Sequence, residues 1–194
     1  MYTDEIDQAL LLVGELLQAE GESVTIVIIG GAALNLLGVT SRTTRDVDVV
    51  AVADPSDPDR LSRPPDPLPG ALIRAVKTVA RDLDLPDNWL NRGPANQWDV
   101  GLPPGFASRL IWRAYAALRV GIAARRDLIF FKLEAAADQP AATNNRHLAD
   151  LLALRPTPGE LAAAAEWVKE KNAGDIYHAI IDNVTAYVLS ALAR

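Results

Sequence analysis

Two stretches decide the fold of this chain: Ile29-Gly30-Gly31-Ala32-Ala33-Leu34 and Arg42-Thr43-Thr44-Arg45-Asp46-Val47-Asp48-Val49. The glycine pair follows an apolar, β-branched run, Val24–Ile29, which predicts a strand buried on both faces. A short helix, Ala32–Leu37, comes next and is closed by Gly38. The second stretch opens a further strand, predicted over Asp46–Val52. Its alternation places Asp46, Asp48 and Val50 on one side and Val47, Val49 and Ala51 on the other.

These features together indicate chemistry on phosphate. Free backbone N–H groups at Gly30 and Gly31, at the start of a helix, favour an anion. Two neighbouring carboxylates, Asp46 and Asp48, repel each other unless a cation lies between them. Oxygen ligands without histidine or cysteine favour Mg²⁺ or the similar Mn²⁺. Each signal alone is common, since a glycine pair is often only a turn and Asp-x-Asp often lies on an exposed strand. Their order and spacing predict phosphoryl or nucleotidyl transfer.

Outward from this core, the periodicity predicts an α+β fold: a small mixed β-sheet flanked by helices, with a C-terminal helical layer. A helix is predicted over residues 4–20 and another over about 70–84, and one or two strands over 110–123. Residues 54–69 contain six prolines and four aspartates and predict no regular structure. We expect an α/β core at 1–125 and a helical region at 126–194 that packs on it and completes the active site. The helices predicted there are 127–138, 144–154, 158–171 and 174–193.

Composition excludes several classes of protein. The 194 residues are 49% hydrophobic and 23% charged, which is typical of a globular domain and not of a disordered chain. No cysteine is present, which excludes disulfides, zinc–thiolate sites and iron–sulfur clusters. No apolar run reaches the ~18 residues of a membrane span, and the first residues are acidic, unlike a signal peptide. We therefore expect a soluble, cytoplasmic protein with no membrane partner.

The net charge of −6 conceals a basic segment at residues 109–132. Asp127 is its only acidic residue before Lys132. Such a local excess of cations predicts a phosphate-facing surface, with a solvated face of strand and helix as the alternative. The residues that we predict to contact RNA are Arg109, Arg113, Arg119 and Arg126.

The Gly30-Gly31 pair and the run Arg42-x-Thr44-x-Asp46-x-Asp48 resemble the DNA-polymerase-β-like nucleotidyltransferase superfamily. They are most similar to its small stand-alone branch, the abortive-infection and mycobacterial-type nucleotidyltransferase toxins of toxin–antitoxin systems. Those toxins carry a later Lys-Leu-x-Ala motif and then an Asp-Leu pair, which are matched here by Lys132-Leu133-Glu134-Ala135 and Asp150-Leu151. The resemblance covers about residues 24–152.

The resemblance implies an NTP substrate, a magnesium-dependent reaction and an active site completed by Lys132 and Asp150. The lysine would hold the triphosphate, and the aspartate would orient it or act as a base. Gly30, Gly31, Thr44 and Arg45 would complete the nucleotide site, although Arg45 can equally shield the acidic cluster. Alternatively, Lys132 is solvated, and Asp150 forms only a surface ion pair with Arg146.

Two departures from the wider superfamily bear on this site. The chain has Gly30-Gly31 where many members have Gly-Ser, and residues 109–123 contain no acid to serve as a third carboxylate. Asp99 or Asp127 is the predicted substitute.

By resemblance, the acceptor is the 3′ end of tRNA, and the partners are NTP, tRNA and a cognate antitoxin protein. Two alternatives stay open: a small-molecule, aminoglycoside-type nucleotidyltransferase, and a catalytically silent binding protein with this fold.

Overall fold

The computed structural model describes residues 1–54, 57–139, 145–172 and 174–194, with the side chains of 58 and 59 left out. It confirms the predicted α+β class, with eight α-helices and six strands in the described part of the chain. The chain divides into two compact units, Met1–Ala124 and Arg125–Arg194, which we call the N-terminal and C-terminal units. Among the described residues, no helix combines the length and apolar character needed to cross a membrane.

The N-terminal unit is built on one mixed sheet. Its spatial order is β3-β2-β1-β6-β5, and β4 pairs with the opening residues of β2. The central β1 runs antiparallel to β2 and parallel to β6, and all six of its residues are buried as predicted. The strands are β1 Val24–Ile29, β2 Val47–Asp54, β3 Asp57–Ser62, β4 Leu90–Asn91, β5 Ile111–Tyr115 and β6 Leu118–Ile122.

Four α-helices belong to this unit. The first, α1, buries Ile6, Leu10, Val13 and Leu17 at helical spacing and contacts α2, α3 and the β5–β6 hairpin. The short α2 begins directly at the glycine pair, two residues before the predicted start. A left-handed Gly38 follows it. Their bounds are α1 Thr3–Ala19, α2 Gly30–Leu36, α3 Gly70–Asp82 and α4 Gln97–Val100.

Two details of the sheet differ from the sequence prediction. The proline-rich segment contains strand β3, which is tolerated because β3 lies at the sheet edge, where a missing N–H costs no ladder bond. In β2 the register shifts, so that Ile28 pairs with Val49 and Val27 pairs with Ala51. Val50 is therefore an extra, bulged residue. Since Val27 and Ile28 face opposite sides of the sheet, the predicted common face of Val49 and Ala51 is wrong.

The regular structure in the described residues of the C-terminal unit is all helical: α5 Arg125–Ala137, α6 Arg146–Leu154, α7 Pro158–Lys171 and α8 Asp175–Leu192. Helix α5 contacts each of the other three. Thr157 caps α7 by accepting from the Glu160 N–H, and the Glu160 carboxylate accepts from Thr157 N, a reciprocal pair of capping hydrogen bonds. The predicted helix 144–154 begins at Arg146, and residue 144 lies outside the described residues.

Candidate active site

The two carboxylates of the second motif lie at the start of strand β2. Asp46 directly precedes the strand, and Asp48 is its second residue. Val47 between them is fully buried, so the two aspartates project from the opposite side of the chain, where both are partly exposed. Neighbours on both sides fix this segment: Asp48 pairs with Ile29 of β1 and with Asn91 of β4, and Val47 N donates to Trp89 O at 2.6 Å.

The glycine pair packs directly against this motif. A Cβ on Gly30 would overlap the Asp48 carboxylate, and one on Gly31 would lie 2.6 Å from Thr44 Oγ1. Gly30 also has a φ of +79°, in the left-handed region that other residues avoid. The positive φ and the close approach to Asp48 therefore coincide at Gly30, while Gly31 is required by space alone. Residues about fifteen positions apart in the sequence thus form one site.

The loop that carries Arg42, Thr44 and Arg45 is held from inside the unit. Asn35, a buried residue of α2, donates from Nδ2 to Arg42 O at 2.7 Å and accepts from Thr40 Oγ1 at 2.7 Å. Thr44 is 7% exposed, and its N–H donates to Met1 O at 3.0 Å. Arg45 is exposed beside the carboxylates. Sequence reasoning missed Asn35, whose signal was an amide within the apolar helix Ala32-Ala33-Leu34-Asn35-Leu36.

The donor set fits a hard divalent cation. Asp46 and Asp48 supply carboxylate oxygens, both remain partly exposed, and a cation with phosphate and water ligands tolerates two protein carboxylates. Within the described ranges, no group of three or more His, Cys, Asp or Glu gathers to hold a metal. Of the two predicted substitutes, Asp99 forms an ion pair with Arg63 at 2.7 Å, and Asp127 is a fully buried residue of α5.

The C-terminal unit brings the two later motif residues together. Lys132 Nζ of α5 lies 2.8 Å from Asp150 Oδ2 of α6, and the two side chains are 7% and 1% exposed. Both alternatives weighed from the sequence are therefore wrong, because Lys132 is not solvated and Asp150 is no surface partner of Arg146. An ion pair this buried holds its lysine in one place, since leaving it would strand a charge.

The predicted RNA-binding arginines do not share one surface. Arg113 donates to Leu36 O at 2.6 Å and pairs with Asp7 at 3.4 Å, whereas Arg119 stacks on the Trp112 ring at 4.6 Å from its centroid. In the β5–β6 hairpin Arg113 pairs with Val120 and Trp112 with Gly121, so Arg113 and Arg119 face opposite sides. The prediction that both arginines line one RNA-binding surface is therefore wrong.

The other two predicted RNA contacts are Arg109 and Arg126. Arg109 donates to Pro104 O at 2.7 Å, and Arg126 is exposed. Tyr115, beside Arg113, donates to the Asp7 carboxylate, and burial together with this hydrogen bond raises the pKa of Tyr115 to about 12. Arg113, Tyr115 and Asp7 are thus a polar tie between the hairpin and α1.

A family model described as a nucleotidyltransferase of unknown function, DUF6036, matches residues 6–143, which include the glycine turn, both aspartates and Lys132. No match is found among curated proteins or among solved structures.

Proposed function

This chain belongs to the nucleotidyltransferase family of unknown function DUF6036, and on that premise we propose that it transfers a nucleoside monophosphate from an NTP to a hydroxyl acceptor. The acceptor oxygen attacks the α-phosphorus, and pyrophosphate leaves. The observation that carries the proposal is the packing of the Gly30-Gly31 turn against Asp48 and Thr44. That packing puts a backbone without side chains beside a pair of carboxylates, an arrangement suited to a metal-bound triphosphate.

Each predicted site residue of the N-terminal unit has a role in the proposal. Asp46 and Asp48 would hold Mg²⁺ or Mn²⁺, which when bound supplies positive charge to the phosphate oxygens. Gly30 and Gly31 leave the backbone open to the phosphate chain. Arg45, exposed beside the carboxylates, adds a cation that binds phosphate oxygens in a fork. The Thr44 hydroxyl, adjacent to Gly31, donates to Asp46 O at 3.3 Å, and the proposal redirects this hydrogen bond to the phosphate chain.

Lys132 and Asp150 have a coupled role in the proposal. Lys132 would bind the triphosphate as a compact cation, and Asp150, at 2.8 Å, would keep the ammonium charged and oriented. The proposal therefore makes Asp150 a positioning residue for Lys132. Its support is the burial of the pair, because a surface ion pair would fix neither group.

For the acceptor we propose the 3′ end of tRNA, and for the biological role a toxin that an antitoxin protein restrains. Support comes from the motif resemblance and from the cations that remain available on the described surface, among them Arg119 and Arg126. An RNA acceptor requires such cations because binding to a phosphate backbone depends on the number of charges neutralised.

The test is incubation of the protein with each of four α-³²P-labelled NTPs, Mg²⁺ and total tRNA, followed by gel separation. We expect label on RNA with the wild type and none with Asp48→Asn. The matched control is Asp54→Asn, which removes an exposed carboxylate from the other end of the same strand. A parallel incubation contains aminoglycosides, and label on these compounds instead of RNA would show that the acceptor is a small molecule. Transfer by Asp48→Asn at the wild-type rate would show that the carboxylates have no part in the mechanism.

The toxin role is tested separately, by inducing the chain in growing cells. We expect arrest with the wild type and with Asp54→Asn, and normal growth with Asp48→Asn at equal protein level. Arrest by Asp48→Asn would show that toxicity does not depend on transfer.

A further inference from the structure

A cavity of about 270 Å³ lies in the N-terminal unit beside the carboxylate strand. Helix α3 lines one side with Leu72, Ile73 and Val76, and Leu90, Asn91 and Arg92 line the other. In β4, Leu90 pairs with Val47 and Asn91 with Asp48. Adjacent strands lie about 4.8 Å apart. The backbone of Asn91, which forms part of the cavity wall, is therefore one strand spacing from the backbone of Asp48, a proposed metal ligand.

The walls of this cavity suit a neutral, largely apolar group. Its sides are mainly aliphatic, and its four charged residues balance, with Asp66 and Asp87 against Lys77 and Arg92. Arg92 forms an ion pair with Asp66, and both residues line the cavity, so this wall offers polar groups to a ring nitrogen or carbonyl. The volume lies at the lower end of ligand pockets and admits a base with its sugar, not a whole NTP. These properties match a nucleobase.

A second cavity shares part of its lining with the first and carries three basic side chains against two acidic ones. The two share Lys77 and Asp87, and the second adds Arg74, Thr78, Arg81 and Glu20 but none of the residues 90–92. Arg74 pairs with Glu20 at 2.5 Å, whereas Lys77 and Arg81, one helical turn apart on α3, are exposed. Lys77 of the base-sized cavity therefore belongs to a cluster of basic side chains that can bind phosphate.

We propose that these two cavities form the acceptor subsite for the terminal nucleoside of a single-stranded polynucleotide. The base occupies the α3–β4 cavity, the terminal hydroxyl lies on the Asn91 side towards Asp48, and the preceding phosphates contact Lys77 and Arg81. A donor NTP would need the reverse orientation, because its phosphates belong next to Asp48 and would leave the α3 cations unused. This inference rests on the proposed transfer activity and specifies its acceptor.

The first test measures binding without catalysis, so that it reads out even if the chain transfers nothing. A 5′-fluorescein single-stranded oligoribonucleotide with a free 3′ hydroxyl is titrated by anisotropy at several salt concentrations, without NTP. We expect Lys77→Ala/Arg81→Ala to lower affinity about tenfold at low salt. The slope of log affinity against log salt falls by about 1.4, which is 0.7 for each of two lost phosphate contacts. The matched control, Arg60→Ala/Lys169→Ala, removes two cations elsewhere and leaves the slope unchanged.

The second test fills the cavity. Ile73→Trp, on the half-buried lining position, should weaken oligonucleotide binding about tenfold or more by displacing the base, while Ile176→Trp, at an 82% exposed position, leaves binding unchanged. Asp48→Asn should bind the oligonucleotide normally and transfer nothing, which separates a failed subsite from a failed activity. The subsite assignment is overturned if Ile73→Trp weakens NTP binding instead of oligonucleotide binding, because the cavity would then bind the base of the donor. It is also overturned if neither Ile73→Trp nor Lys77→Ala/Arg81→Ala changes RNA binding.

Discussion

The buried pair of Lys132 and Asp150 allows structure and catalysis to be measured separately. Its side chains are 7% and 1% exposed and its charges are 2.8 Å apart, so removing one partner deprives a buried charge of this ion pair. Such losses cost about 3–5 kcal/mol, whereas replacing both charges by apolar groups of similar volume is about neutral or stabilising by up to about 4 kcal/mol. We therefore expect Asp150→Leu and Lys132→Met each to destabilise the protein, and the double variant to recover.

The assay is thermal and urea unfolding of the four proteins, with hydrogen exchange of α5 and α6 to locate the effect. At roughly 2–4 °C per kcal/mol, each single variant should lower Tm by about 6–20 °C. The double variant should come within about 1 kcal/mol of the wild type or exceed it. A coupling energy of about 5 kcal/mol or more between the two sites follows from these values.

Activity of the double variant then decides the role of the pair. If Lys132 binds the triphosphate, Lys132→Met/Asp150→Leu is folded but about 10²–10³-fold slower in transfer, as for other lost charge-stabilising donors. Two results refute the reasoning. Single variants that lose less than about 1 kcal/mol would mean that the pair is solvated. A stable double variant with wild-type transfer would make the pair purely structural.

Two further predictions use matched or internal controls. Gly30→Ala should lower the free energy of unfolding by about 1–2 kcal/mol because of the left-handed φ of this position. It should also impair transfer and Mn²⁺ binding, because the new Cβ overlaps Asp48. Gly38→Ala, with a φ of +70° and open space around it, should lose the same stability and leave transfer intact. For Glu160, the hydrogen bond from Arg125 at 2.7 Å holds its pKa at about 2, so its stabilisation is complete above the usual value of 4.5 and is lost as pH falls from 4.5 to 2. In unfolding measurements from about pH 6 to pH 2, Glu160→Gln should be less stable than the wild type by under about 1 kcal/mol at pH 6, and this difference should disappear on acidification. A stability difference that does not depend on pH would contradict the role of the Glu160 carboxylate.

Local sequence patterns predicted most of the secondary structure because the relevant forces act over a few residues. The all-apolar Val24–Ile29 predicted a strand buried on both faces and is one, and the spacing of Ile6, Leu10, Val13 and Leu17 predicted α1. The four helices of the C-terminal unit were predicted to within about two residues, except where residue 144 lies outside the described part.

The failures all depend on pairing between distant segments. A proline-rich run becomes strand β3 only because β2 offers it an edge, and the bulge at Val50 exists only in the register with β1. Arg113 looked like one of several surface cations, yet its partners are Asp7 and the Leu36 carbonyl, more than seventy residues away in sequence. Charge patterning along a chain cannot distinguish such an internal tie from a binding surface.

The candidate site shows why the sequence left two interpretations of the glycine pair open and why they do not compete. As a turn, Gly30 is required by its positive φ; as part of a site, it is required by the approach of the Asp48 carboxylate. A larger residue fails on both counts, and the second failure moves a proposed metal ligand. Gly31 has no positive φ and is restricted by Thr44 alone. The structural need for glycine is thus part of the geometry on which the proposed chemistry depends, and only a variant with equal backbone strain but no clash, such as Gly38→Ala, separates the two effects.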